Sequence, residues 1–169
     1  MTMPPVLVSL AAVLLAAGVE STAAAPTKVK FDKAVSPGTV VIKTGERRLY
    51  FVIGPGTALR YPVAVGRQGK QWEGFAFVVG KHEKPAWSPP AEVRRDNPRL
   101  PKVIPGGAPN NPMGVAALTL SRAEYAIHGT NRPGSIGTFA SYGCIRMFNA
   151  DILDLYKRVS FGTPVVVKR

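Results

Sequence analysis

The sequence predicts a mainly β fold with a few short helices, built as a single domain. Three observations carry that expectation. The 169 residues include 17 Gly and 16 Pro, and both residue types interrupt helix interiors, so long helices are disfavoured. Between these breaks lie short runs of β-branched and aromatic residues, the composition of strands. Only one stretch, residues 150–159, repeats apolar side chains at helical spacing, through Ile152, Leu155, Tyr156 and Val159.

Taken in order, residues 39–43 (TVVIK), 48–53 (RLYFVI), 61–65 (YPVAV) and 75–79 (FAFVV) read as successive strands. Thr44-Gly45 and Gly54-Pro55-Gly56 supply turns. Residues 84–113 hold eight prolines and the pair Gly106-Gly107; an irregular stretch of that length is either functional or disordered. Strands are expected again at 115–120 and 125–127, then a helix over 150–159 with Asn149 as its N-cap, then a last strand at 163–167. The pattern contains no internal repeat and no second domain.

The N-terminal residues read as a targeting segment. Residues 1–19 carry no charged side chain, and 6–19 are almost wholly Val, Leu, Ala and Ser. That run falls short of the roughly 20 apolar residues of a membrane span and fits a secretory apolar region followed by small residues at 21–25. Residues 1–25 are therefore expected to be a signal peptide, or an uncleaved anchor, and 26–169 the folded domain. No Lys or Arg precedes the run, and Pro26 disfavours cleavage directly after Ala25. Either way the domain is expected outside the cytoplasm, in a periplasmic or similar compartment, touching a membrane only through an uncleaved leader. About 145 residues are enough for one domain with a core of its own.

The formal charge is +12, and loss of residues 1–20 removes one acid and no base. Export and the scattered placement of Lys and Arg argue against a nucleic-acid partner, which would call for a basic stripe with interleaved aromatics. An acidic extracytoplasmic polymer is the better match, with solubility alone as the competing account.

Cys144, in SYGCIR, is the single cysteine of the chain. An unpaired thiol in an oxidising compartment is exposed to sulfenic acid formation and mixed disulfides, which marks it as a candidate reactive group; the alternative is an inert buried side chain. Near its ordinary pKa a thiol is only about 3% thiolate at neutral pH, so a nucleophile needs a base or a positive neighbour. Gly143 permits close backbone approach, and Arg146 is a fixed cation two residues on. Of the two histidines, His128 ends an expected strand sixteen residues before Cys144 and precedes a glycine, whereas His82 reads as a solvated loop residue. Two distant histidines and one cysteine make no recognised metal spacing.

The segment IHGTNRPGSIGTFASYGCIRM, residues 127–147, resembles the active-site segment of the YkuD-type L,D-transpeptidases. That pattern is His-Gly, roughly fourteen to seventeen residues of loop, Ser/Thr-His-Gly-Cys, an apolar residue, and Arg or Asn. The blocks RYPVAVG (60–66), KPAWSPP (84–90), NPRLPKVIPGG (97–107), NPMGVAAL (111–118) and GTPVVV (162–167) are also similar to family blocks, so the resemblance covers nearly all of 26–169. It implies a sandwich- or barrel-like catalytic fold that uses no cofactor or metal. It implies Cys144 as nucleophile, His128 as general base and acid, and the Gly129 carbonyl as the group orienting His128. The backbone N–H groups of Tyr142, Gly143 and Cys144 would form an oxyanion hole, Ser141 would line the pocket, and Arg146 would steady the loop or bind a substrate carboxylate. The implied reaction is acyl transfer through a thioester, from the diaminopimelate–D-alanine bond of a peptidoglycan tetrapeptide stem to an acceptor amine. The product would be a 3–3 cross-link or a wall-attached protein, and carbapenems would acylate Cys144. A hydrolytic L,D-carboxypeptidase or amidase, and a non-enzymatic wall-binding module, are the alternative readings.

Two departures stand out. Tyr142 occupies the position where the family pattern has histidine, which puts acceptor deprotonation or donor binding in question. QWEGFAF (71–77) replaces the usual Thr-Pro-x-Gly and keeps only Gly74. Trp72 and Trp87 are expected in the core or along a cleft wall.

Overall fold

The computed structural model describes residues 26–122 and 124–169; the expected leader, residues 1–25, lies outside them. Among the described residues the order is β1 (Thr27–Lys30), β2 (Val40–Lys43), β3 (Arg48–Gly54), β4 (Thr57–Pro62), β5 (Val65–Gly66), β6 (Gly74–Glu83), α1 (Ala91–Asp96), β7 (Ala116–Leu120), β8 (Ala126–His128), β9 (Phe139–Ser141), β10 (Ile145–Arg146), α2 (Asn149–Arg158) and β11 (Pro164–Lys168). A single 3-10 turn, Pro133–Ser135, precedes β9. The mainly β expectation is met.

Apolar side chains in β2 and β3 divide between two faces with the strand period of two. Val40, Ile42, Leu49 and Phe51 enter the main core, whereas Val41, Tyr50 and Val52 enter a smaller cluster covered by Val29, Phe31 and Val35. Both faces are covered, which is why these runs are continuously apolar.

One sheet of nine strands is ordered β1-β4-β3-β2-β11-β6-β7-β8-β10, and β5 pairs separately with β9. β6 joins two halves, its first residues pairing with β11 and its later ones with β7 across a register shift between Val78 and Gly80. Such an irregularity bends and twists a strand. Side chains of both halves share one core, Val165 and Tyr61 from one and Leu118 and Ile127 from the other, with Ile152 and Leu155 of α2 packed among them. The result is sandwich-like.

Several expectations are corrected. The run 61–65 is not one strand: β4 ends at Pro62, which has no N–H to continue a ladder, and β5 restarts at Val65. β1, β9 and β10 are unexpected strands of two to four residues. His82 lies on β6 opposite Ala117, exposed but not in a loop. Asn149 is not the N-cap; it is the first helical residue, after Phe148, which makes no side-chain cap. Its Oδ1 instead accepts the Thr130 N–H at 3.0 Å.

The proline-rich segment is organised. Trp87 and Ile104 exchange backbone hydrogen bonds at 2.9 and 2.8 Å. Buried Asn111 donates to the carbonyls of Pro85 and Pro105, both at 2.9 Å, and accepts the Met113 N–H at 2.9 Å. α1 interrupts the segment with one and a half turns.

α2 buries Ile152 and Leu155 completely. Its Asp154 accepts two bonds from Arg158, at 2.9 and 2.8 Å, and one from the buried Tyr61 hydroxyl at 2.6 Å. Leu155→Ala is therefore expected to cost about 2–5 kcal/mol in chemical denaturation, the usual range for a fully buried leucine. Asp151, in the first turn of α2, is buried with Oδ2 lacking any hydrogen-bond partner. Burial, and secondarily the Asp154 charge, push its carboxyl up to about 6. A folded-state pKa above the unfolded value means stability is lost as pH rises from about 4 through 6, because the folded state must release a proton it holds more tightly. Asp151→Asn should accordingly raise stability on the order of 1 kcal/mol at pH 7.5 and leave it unchanged near pH 3.5, read from urea midpoints at the two pH values.

Candidate active site

β8 and β10 run parallel, with Ile145 opposite Ile127 and Arg146 opposite His128. Cys144 directly precedes β10, so the pairing brings the thiol to the strand that carries the histidine. The intervening loop folds back through β9, which pairs with β5, and Arg146 is bridged to Ala64 by backbone bonds of 2.9 Å in both directions. Cys144, His128, Arg146, Ser141 and Tyr142 line one cleft, whose opposite wall includes Trp87, Pro90, Glu92 and Val93.

His128 is buried, and its Nδ1 lies 2.7 Å from the Gly129 carbonyl. A carbonyl can only accept, so Nδ1 carries the proton and Nε2 is left basic. Gly129 is needed for space, since a Cβ there would run into Asn149 Oδ1. Asn149 thus fixes the turn after His128 from the far end of the loop.

Gly143 has a φ of +125°, and a Cβ on it would meet the Tyr125 ring. Tyr125 stacks on Trp72 with centroids 5.4 Å apart and planes 9° apart, and the Trp72 indole N–H donates to the Gly143 carbonyl at 3.0 Å. Buried Ser141 bonds within the loop as well as lining the cleft. Its hydroxyl donates to the Cys144 carbonyl at 2.5 Å and accepts the Gly143 N–H at 3.1 Å. Trp72 is therefore a core residue that supports the loop from beneath, whereas Trp87 lines the cleft.

The electrostatics favour a neutral pair. Burial, helped by the Arg146 charge, pulls His128 down to about 4 against the opposing pull of the Gly129 and Pro112 carbonyls. Burial likewise raises the Cys144 thiol, only partly offset by the Ala126 N–H and by Arg146. The thiol reaches the Glu124 carbonyl at 3.6 Å. Burial lowers the pKa of Arg146, and no carboxylate among the described residues pairs with it.

Some contributors carry no motif. Tyr142 donates its hydroxyl to Asp96 at 2.8 Å, and Lys70 pairs with Glu92 across the cleft rim at 2.5 Å. Single charges in a proline-rich stretch give no sequence signal for such pairings. His82 lies apart from the cleft, its Nε2 3.5 Å from Thr119 Oγ1. No three His, Cys, Asp or Glu side chains among the described residues cluster as metal ligands.

Comparison with known proteins assigns the family. The model of the YkuD family, the L,D-transpeptidase catalytic domain, matches residues 37–167. The chain is 41% identical over 135 residues to the probable L,D-transpeptidase YbiS of Escherichia coli (strain K12), covering 75% of this chain and 43% of that protein. The chain thus spans less than half the length of YbiS. To the putative L,D-transpeptidase YkuD of Bacillus subtilis (strain 168) it is 31% identical over 138 residues, covering 82% of this chain and 70% of that protein. An L,D-transpeptidase structure from Mycobacterium smegmatis matches with a TM-score of 0.61 over 78% of this chain and 58% of that chain, at 17% identity, a likeness of fold. With the family model covering the folded region from β2 into β11, the chain belongs to the YkuD L,D-transpeptidase catalytic domain family.

Proposed function

We propose that this protein is a peptidoglycan L,D-transpeptidase that works by cysteine acyl transfer, with residues 26–169 as its catalytic domain and residues 1–25 as the segment that exports it. The observation that carries the reading is the convergence of Cys144 and His128 on one cleft through the β8–β10 pairing, with His128 Nδ1 committed to Gly129.

In the resting site the thiol keeps its proton, because burial penalises both the thiolate and the imidazolium. The proton moves to His128 Nε2 as Sγ attacks the carbonyl carbon of the diaminopimelate–D-alanine amide, so charge appears only when there is an oxyanion to receive it. We assign the oxyanion to the Cys144 and Tyr142 N–H groups; the Gly143 N–H is already taken by Ser141. An imidazolium held at low pKa is a strong acid, suited to protonating the departing D-alanine amine. The thioester left on Cys144 is then opened by an acceptor amine, of a second stem peptide or a wall-attached protein, whose proton returns through His128. Arg146, half-buried and without a carboxylate partner among the described residues, is placed to take a stem-peptide carboxylate. Cys144 also lines an adjoining recess with Thr119, Leu120 and Ala126, which we assign to the acceptor. The formal charge of +12 suits an acidic wall polymer.

Incubation with diaminopimelate tetrapeptide muropeptides should yield a dimer lacking one D-alanine by mass spectrometry. Cys144→Ala should lose that product by a factor on the order of 10³ or more. Tripeptide with no dimer would point to hydrolysis, and no turnover of either kind would sink the enzymatic reading.

The neutral pair predicts an unusual pH profile. The acid limb of kcat/KM should fall near pH 4–5, where His128 becomes charged, rather than near the ordinary imidazole value of about 6.5. Iodoacetamide alkylation of Cys144 should climb steadily beyond pH 9. A plateau between pH 6 and 8 would mean a preformed thiolate and would overturn this account.

A further inference from the structure

Tyr142 takes no part in the chemistry just described through its side chain, yet that side chain is the centre of a polar cluster across the cleft. α1 is only six residues long, has no side-chain cap and buries only Val93. A helix that short has little stability of its own, so its position depends on what it touches. Glu92 and Asp96, four residues apart, share a face of it. They meet Lys70 and Arg67, from the turn that follows β5, at 2.5 and 3.0 Å. Asp96 Oδ2 accepts both the Arg67 guanidinium and the Tyr142 hydroxyl, and Arg67 stacks over the Tyr142 ring at 4.0 Å from its centroid. The Arg67 backbone N–H donates to the Ser141 carbonyl at 2.9 Å. Arg67 and Tyr142 therefore both belong to the catalytic loop's framework, and Asp96 is the carboxylate they share on the other side.

We propose that Tyr142 is a positioning residue: with Arg67 it clasps Asp96, pins α1 to the catalytic loop, and so sets the width of the cleft through which an acyl donor reaches Cys144. The last clause rests on the transpeptidase reading; the clasp itself does not. Phenol reach is essential to it, because a histidine at this position ends short of the point where the hydroxyl meets Asp96. The partners keep considerable solvent contact, with Arg67 and Asp96 side chains 42% and 29% exposed. Such a clasp is weak enough to open and is loosened by salt.

The single cysteine makes the test direct. In the full protein, second-order rates of Cys144 labelling are measured with iodoacetamide and with fluorescein-5-maleimide, and their ratio reports cleft width independently of thiol acidity. Tyr142→Phe keeps the Arg67 stack and loses the hydroxyl; Asp96→Asn removes the shared charge. Each should raise the bulky-to-small ratio about threefold, and the double variant should match the larger single effect rather than their product, the signature of one shared interaction. In the unmodified protein, 1 M NaCl should move the ratio the same way, an arm that needs no variant. With muropeptides, Tyr142→Phe should change donor KM more than kcat. Ratios unmoved by salt and by both substitutions, or effects that multiply independently, would overturn the clasp. A shifted ratio in a protein that turns over no muropeptide would sink the transpeptidase reading alone, and a flat ratio in an active enzyme would sink the clasp alone.

Discussion

The cleft depends on the parallel pairing of β8 with β10, two strands of three and two residues. Strands so short do not persist in isolation. This pair persists because Ile127, Ile145 and Met147 are completely buried and because the Met147 N–H donates to the His128 carbonyl at 2.8 Å. Burial of alternate residues fixes the register, since a slip of one would turn Ile145 out of the core. Once the register is fixed, the positions of Cys144 and Arg146 relative to His128 follow without further specification.

The same burial sets the chemistry. Packing the site against the core desolvates the imidazole, the thiol and the guanidinium together. The imidazole and the thiol are pushed toward their neutral forms while Arg146 keeps its charge, and backbone groups rather than charged side chains contact the polar atoms of the candidate pair. The loop between them is fixed in the same manner, through the Ser141 hydroxyl, the Trp72 indole and the Asn149 amide. All three contacts grip main-chain groups of the loop, so none of them depends on which side chain stands at 142.

Much of this was legible beforehand, and what was missed has a physical pattern. β2, β3, β6, β7, β8 and β11 announce themselves by β-branched runs long enough to show a period. β1, β9 and β10 do not, because two to four residues cannot show one, and their pairing is imposed by partners distant in sequence. Asn149 looks like a cap because a cap and a long-range acceptor have the same amide; the choice went to Thr130, whose N–H lies in the loop brought over by α2 and β8. Pro62 ends a strand that its neighbours would have continued. α1 lies in a stretch with eight prolines, where helix is least expected, and takes its place through contacts with the turn after β5.

By itself the sequence determined the fold class, the family resemblance and the identity of the candidate pair, because one cysteine and two histidines leave few combinations and the apolar runs have a readable period. Only the tertiary structure decided that Gly143 N–H is already occupied, that burial pushes His128 down and the Cys144 thiol up, and that Tyr142 reaches Asp96. Each of those depends on distances and burial between residues far apart in the chain, and a linear pattern carries neither.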